Sequence, residues 1–359
     1  MVDANGKLGF HTRTEIHSQP RCWEECLRRL KQDPQVEWIL QNCSNQRRWL
    51  FMGCGSSYYL AQAAASTWKA VTGLTAQAIP ASELLLFPDL ILDRDSPFQP
   101  VLISRSGHTS EILESADYLK SRKMPLVAVT CAPDQDLEQR AAATLCLPAA
   151  DEKSTVMTRS FTSMLLGIQF LAGRWAANEE FLDALDRLPD LVQPALEGIS
   201  SALESFVAAR EFEDYVWLGQ GPFYGLACEG ALKVKEMSCS YAQNFHTLEF
   251  RHGPKSIVGP ETLIMFQLSE VGYQAEREVV EEVKALGGAV MAVVHKADER
   301  VRKAADLLFE LHLPGPEYAR LAAHILPAQL LGFYTGLKKR IDPDHPRHLS
   351  RVVILNARS

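Results

Sequence analysis

Apolar positions along the chain follow two patterns that take turns. Short unbroken apolar runs alternate with longer stretches in which apolar side chains recur every three or four positions. The run 48–52 predicts a strand, Gly53-Cys-Gly-Ser-Ser57 a turn, and 58–71 a helix. The run 100–104 predicts a second strand, followed by a polar turn and a helix over 110–122. Runs 125–130 and 143–147 predict a third and a fourth strand. Ahead of them a helical pattern covers 21–43, with Trp23, Cys26, Leu27 and Leu30 on one face. Residues 161–210 read as mostly helical, with Pro189 and Pro194 as expected breaks.

The alternation then restarts. Strand 215–218 and the turn Gly219-Gln-Gly-Pro222 echo 49–55. Strand 261–268 echoes 100–104, and helix 274–286 with strand 288–294 echoes the next pair. Counterparts lie about 164–166 residues apart, the mark of an internal duplication. A helix over 322–338, a basic tail to Arg351 and an apolar strand over 352–355 close the chain. Continuous apolar strands between amphipathic helices predict an α/β fold with parallel sheets covered on both faces. The expected organisation is a helical lead-in (1–45), a first domain (46–180), a helical linker (181–212), a second domain (213–340) and a tail (341–359).

Composition narrows the partners. A net charge of −7 over 359 residues, with no basic block interrupting the domains, argues against a nucleic-acid surface. Apolar runs stop well short of a membrane span, and the first residues lack the apolar stretch of a signal peptide, so the expected location is cytoplasmic. Eight cysteines without a C-x-x-C pair read as reduced thiols rather than a zinc site. No metal or cofactor is expected.

Candidate chemistry differs between the halves. In the first, Gly53-Cys-Gly-Ser-Ser57 (with Gly55, Ser56 and Ser57) and Ser104-Arg-Ser-Gly-His-Thr109 both lead from a strand into a helix. Free backbone N–H groups, a helix dipole and several hydroxyls together suit a phosphate. Gly107 would let the backbone approach closely, and Arg105 and His108 could add positive charge. Serines also cap helices, so the pairing of two such turns carries the reading. Neither turn matches a dinucleotide or Walker pattern. A third hydroxyl-rich segment, 152–162, includes Thr155 and could close a sugar pocket. In the second half, Glu229, Lys233 and Glu236 fall on one helical face, followed by Phe250-Arg-His-Gly-Pro-Lys255, which puts His252 on a loop. A surface salt-bridge ladder would look the same locally. The strand end and glycine turn before it favour a site.

Together these motifs resemble the sugar isomerase (SIS) family, in particular the isomerase half of glucosamine-6-phosphate synthase and the tagatose-6-phosphate ketose/aldose isomerase group. The likeness runs from Glu15-Ile-His-Ser-Gln-Pro20 to Asp344-His-Pro-Arg-His-Leu-Ser-Arg351. It implies two SIS domains, each a flavodoxin-like three-layer αβα sandwich, plus an N-terminal helix and a C-terminal tail. It also implies phosphate contacts from Ser57, Ser104, Ser106 and Thr109, with the backbone at Arg105 and Gly107. Glu236 matches the base that moves a proton between C1 and C2, and Lys233 a lysine near the reacting carbons. His252 matches the ring-opening residue, which in this family comes from the partner subunit of a homodimer. Arg351 stands where the synthases carry a tail lysine that pairs with the open-chain sugar. Arginine stays protonated, so imine capture there is not expected. The chain as given leaves no room for a glutaminase domain. The implied function is isomerisation or deamination of a hexose 6-phosphate or amino-hexose 6-phosphate through an enediol or enolamine. Deglycation of fructosamine 6-phosphate and a non-catalytic sugar-phosphate sensor are the alternatives.

Overall fold

Ten strands arrange into two five-stranded sheets in the computed structural model, which describes residues 8–92 and 98–355. In the first, β1 (Arg48–Gly53), β2 (Thr75–Pro80), β3 (Gln99–Ile103), β4 (Val127–Thr130) and β5 (Ala143–Cys146) lie in the order β2-β1-β3-β4-β5. In the second, β6 (Asp214–Gly219), β7 (Tyr241–His246), β8 (Thr262–Gln267), β9 (Ala289–Val294) and β10 (Leu307–Glu310) run β10-β9-β8-β6-β7. Read from the opposite edge, that is the same order. All pairings are parallel, with Met52 opposite Leu102 in one sheet and Leu218 opposite Phe266 in the other. The α/β architecture is that of two halves with the same strand order. Its strand order is the flavodoxin order, in which ligands bind beyond the carboxyl ends of the strands at the switch point. Those points lie between β1 and β3, and between β6 and β8.

The helices used below are α1 (Phe10–His17), α2 (Gln19–Leu30), α3 (Pro34–Asn42), α4 (Ser56–Thr72), α5 (Ser110–Ser121), α6 (Arg159–Trp175), α7 (Glu179–Ala209), α8 (Pro222–Ser238), α9 (Tyr273–Ala285) and α10 (Leu326–Lys338). The chain separates into two compact units. One takes residues 21–152, 159–186 and the tail from Ser350; the other takes the chain through Pro20, 153–158 and 187–349.

Strand alternation explains each core. In the first unit Leu50, Met52, Leu102 and Ala128 pack with Ile112, Ala116 and Leu119 of α5. On the opposite face Trp49 meets Trp68 at 4.1 Å and Trp175 at 5.2 Å between ring centroids. In the second unit Val216, Leu218, Ile264, Phe266, Val290 and Ala292 pack with Val279, Val280 and Val283 of α9. Such two-sided burial is why these strands lack polar alternation. No helix among the described residues is long and apolar enough to cross a membrane.

Several elements depart from the sequence reading. The helix expected over 21–43 is two helices. Pro34 cannot continue α2, and Asp33 caps α3 by accepting from the Gln35 N–H at 2.9 Å. Pro189 and Pro194, by contrast, sit inside the unbroken 31-residue α7. Its apolar stripe of Leu185, Leu188, Val192, Leu196 and Leu203 is buried, which offsets the lost hydrogen bonds. The helix expected over 322–338 splits into Leu321–His324 and α10. The tail strand at 352–355 does not form; that segment is irregular and bonds to side-chain and backbone groups of Ser110. Strands β2, β7 and β10 escaped the sequence reading. β2 and β7 are edge strands of mixed polarity, and β10 is a short edge strand followed by a loop with Pro314, Gly315 and Pro316.

Candidate active site

Beyond β1 the chain turns through Gly55, whose φ of 56° and ψ of −126° only glycine adopts readily. Gly53 lies so close to the first turn of α4 that a Cβ would collide with the Ser57 backbone. This compression places Ser56 and Ser57, both buried, at the N-terminus of α4. The neighbouring strand β3 delivers the second turn. Ser104 is anchored by its N–H to the Val129 carbonyl at 3.0 Å, and its Oγ shares a 3.2 Å hydrogen bond with Thr109 and accepts from the Gly107 N–H. Gly107 has φ 68°, and a Cβ there would meet Gln135. Gly55, Ser56, Ser57, Ser104, Ser106, Gly107 and Thr109 thus gather beyond adjacent strands of one unit. Free helix N–H groups and hydroxyls of this kind are the donors that an anion takes.

The two charged residues of that turn are committed elsewhere. The Arg105 guanidinium is buried against the Glu152 carboxylate at 3.3 Å and donates to the Arg351 carbonyl at 3.0 Å. His108 Nδ1 sits 2.9 Å from Asp136. Glu152 also accepts from the Ser160 hydroxyl. The tail is held against this unit. Ser110 N–H donates to the Val353 carbonyl at 3.3 Å, Leu355 N–H to Ser110 Oγ at 2.9 Å, and the Arg351 guanidinium pairs with Asp151. Cys54, in the first turn, is no nucleophile in waiting: burial, with Glu111 beside it, pushes its thiol up to about 12.

In the other unit, α8 starts at Gly221, with φ 54° and ψ −127°, and carries Glu229, Lys233 and Glu236 along one face. Lys233 is fully buried. Its ammonium lies 3.2 Å from Glu229, also buried, and forms a close ion pair with the partly accessible Glu236. Burial pulls the lysine pKa down, but the two carboxylates outweigh it and hold the pKa above its ordinary value. The residue is a fixed cation, and the ladder reading is set aside by its burial. One carboxylate, Glu236, keeps access to solvent.

His252 caps a short 3-10 turn (Glu249–Arg251) and is exposed. Its neighbours Arg251 and Lys255 both pair with Glu282. Thr155 lies on the segment 153–158, whose N–H is bonded to the Asp344 carbonyl at 3.2 Å. Three residues that organise this region were not singled out in the sequence as functional. Glu15 of α1 accepts from Ser154 Oγ and the Lys153 N–H, and Asp344 accepts from the Thr12 N–H and hydroxyl, each at 2.7 Å. Glu152 is the third. Each gave a signal only as a member of a segment: Glu15 and Asp344 in the terminal stretches, Glu152 at the start of the hydroxyl-rich 152–162. Among the described residues no group of three or more His, Cys, Asp or Glu is placed to hold a metal.

Residues 43–174 match the family described as SIS domain. A glutamine–fructose-6-phosphate aminotransferase [isomerizing] from Methanothermobacter thermautotrophicus is 27% identical over 346 residues, covering 94% of this chain and 56% of that protein. The chain spans a little over half the length of the curated relatives it matches. Among solved structures, a glucosamine-6-phosphate deaminase from Thermotoga maritima is 29% identical, with TM-score 0.77 over 96% of this chain and 100% of that one. A Clostridium novyi protein provisionally named a tagatose-6-phosphate ketose/aldose isomerase is 25% identical, with TM-score 0.86 over 96% and 94%.

Proposed function

Starting from a chain that carries a SIS domain, we propose that it acts on a hexose 6-phosphate or amino-hexose 6-phosphate by moving a proton between C1 and C2, with release of ammonia where C2 bears an amine. The observation that carries this reading is the buried ammonium of Lys233 held between two carboxylates, one of them accessible. A salt bridge so buried adds little to stability on its own. It is well suited to chemistry in which negative charge develops on oxygen.

In this reading the hydroxyls and helix N–H groups of the first unit take the phosphate, with Ser57, Ser104, Ser106 and Thr109 as donors. Thr155 closes on the sugar. Glu236 removes the proton at C2 of the open-chain aldose and returns it to C1. Lys233 stabilises the enediolate oxygen, and Glu229 keeps the lysine charged and in place. Opening of the ring falls to His252 of a second copy in a homodimer, for which its exposure leaves it available. Arg351 recognises a sugar oxygen after leaving Asp151. On an amino sugar the same base produces the enolamine; reprotonation gives an imine that water hydrolyses to ketone and ammonia. The similarity to the Thermotoga deaminase supports that branch.

The test is incubation of the protein in deuterated water with glucosamine 6-phosphate, fructose 6-phosphate, tagatose 6-phosphate and fructosamine 6-phosphate. Deuterium at C1 or C2, with ammonia from the amino sugar, is the expected result. Tight binding of a sugar phosphate without exchange would instead make the protein a sensor.

A further inference from the structure

Residues 153–158 belong to the compact unit of α8 and α10, although the chain on both sides of them belongs to the other unit. The segment is neither helix nor strand. Burial alternates along it: Ser154, Val156 and Thr158 are buried, while Thr155 and Met157 between them stay partly exposed. An irregular stretch must find partners for its backbone groups outside itself.

Those partners come from three places. At the start, the buried carboxylate of Glu15 on α1 accepts from the Lys153 N–H at 2.5 Å, the Ser154 N–H at 3.3 Å and the Ser154 hydroxyl. In the middle, the Thr155 N–H donates to the Asp344 carbonyl at 3.2 Å. At the end, the Thr158 carbonyl accepts from the side-chain amide of Gln329 on α10 at 3.1 Å, and Gln329 accepts from Gln19 at 2.6 Å. Gln19 and Gln329 are fully buried. Helix α10 carries the attachment on to the acid–base residues. One turn after Gln329, a Cβ at Gly332 would come within 2.9 Å of the Lys233 carbonyl oxygen, so the backbones of α10 and α8 are in contact. Of these anchors Glu15 is the strongest. A carboxylate accepts several donors at once, and its bonds are charge-assisted. It also takes both donors of Ser154, the residue directly before Thr155.

We infer that Glu15 is a positioning residue for the sugar end of the substrate: by holding 153–158 to the unit that carries Lys233 and Glu236, it sets where Thr155 meets the sugar. The inference rests on the function proposed above. Ser57, Ser104, Ser106 and Thr109, the proposed phosphate donors, belong to the other unit. Loss of Glu15 is therefore felt at the sugar and not at the phosphate.

Steady-state kinetics on the full chain test this, with whichever of the four sugar phosphates named above the wild type turns over fastest, and with inorganic phosphate as inhibitor. Glu15→Ala should raise KM about tenfold, roughly the worth of one hydrogen bond from Thr155. It should leave kcat within about twofold and the inhibition constant of inorganic phosphate unchanged. A residue that served folding alone would lower kcat through loss of folded enzyme and leave KM as it was. Glu15→Gln should keep KM within about threefold of wild type, because its amide oxygen still accepts the backbone N–H groups and its NH2 can donate to Ser154 Oγ. Ser154→Ala, a gentler change, should raise KM about threefold. In the unliganded chain, amide hydrogen exchange over 153–158 should quicken in Glu15→Ala. Wild-type KM in both Glu15→Ala and Ser154→Ala, or an equal loss of phosphate affinity, overturns this inference and leaves the proposed function standing. A wild type that turns over none of the four sugars overturns the proposed function instead; unchanged exchange over 153–158 then overturns the anchoring as well.

Discussion

The turn after β1 and the turn after β6 share a backbone and differ in almost everything else. Gly55 and Gly221 have the same dihedrals within a few degrees, and Gly53 and Gly219 make the same close approach to the helix that follows. Yet the helix after one begins Ser56-Ser57 and the helix after the other Pro222-Phe223. Proline removes an N–H and the buried phenylalanine fills the space, so the second turn offers no anion a seat. The loops after β3 and β8 diverge likewise. Ser104 holds its own turn open around hydroxyls. In the second unit Ser269 gives both its N–H and its hydroxyl to the buried carboxylate of Glu276, at 2.8 and 2.6 Å. That loop supplies a carboxyl group from within. The two halves share a frame, and in the proposed function their side chains divide the work: anion recognition in one half, proton chemistry on α8 in the other.

The largest effect expected from breaking this division is at Glu236. Glu236→Gln should lower kcat roughly a thousandfold with little change in sugar-phosphate affinity, separable by calorimetry and rate assays. Near-normal turnover would mean the base lies elsewhere. Next comes transplanting the second turn into the first. Ser56→Pro with Ser57→Phe should preserve the fold by circular dichroism, since proline is tolerated at a helix start. It should cost at least about 100-fold in affinity for glucosamine 6-phosphate. Unchanged affinity would dismiss the cradle.

The internal carboxyl group can be tested by pH. Burial pushes Glu276 up from 4.5 to about 7, against the hydrogen bonds from Ser269. Between those values the folded chain keeps a proton that the unfolded chain has lost, so this group makes stability fall as pH rises from about 4.5 to about 7. Glu276→Gln should flatten that slope, by no more than about 3 kcal/mol, in denaturant titrations at pH 5 and pH 8. The smallest effect tests the shared frame itself. Gly55→Ala and Gly221→Ala should each cost about 1–2 kcal/mol, and nearly equally, because a Cβ at either position meets no neighbour. Unequal costs in thermal melts would show that the two turns are not equivalent.

Much of the fold could be read from the chain, and the limits have specific causes. Central strands announced themselves because burial on both faces leaves unbroken apolar runs. Edge strands such as TAQAIP and YAQNFH carry no such signature. Pro34 ended a helix while Pro189 and Pro194 did not, since the outcome depends on how much apolar stripe a helix buries beyond the proline. Glu229, Lys233 and Glu236 were legible as one face from helical geometry alone. That Lys233 is buried, and so a fixed cation rather than a surface rung, was not.

Local periodicity and glycine placement determined the alternation of strands and helices, the repeat, the two hydroxyl turns and the face of α8. These depend only on near neighbours, and a linear chain records near neighbours directly. Partners far along the chain were decided by packing: Arg105 bound to Glu152 and to the tail carbonyl, and Arg351 paired with Asp151. A charged or hydroxyl side chain has the same identity whether it meets substrate, another residue or nothing. Which of these it meets is set by distances that exist only once the sheets and helices have closed.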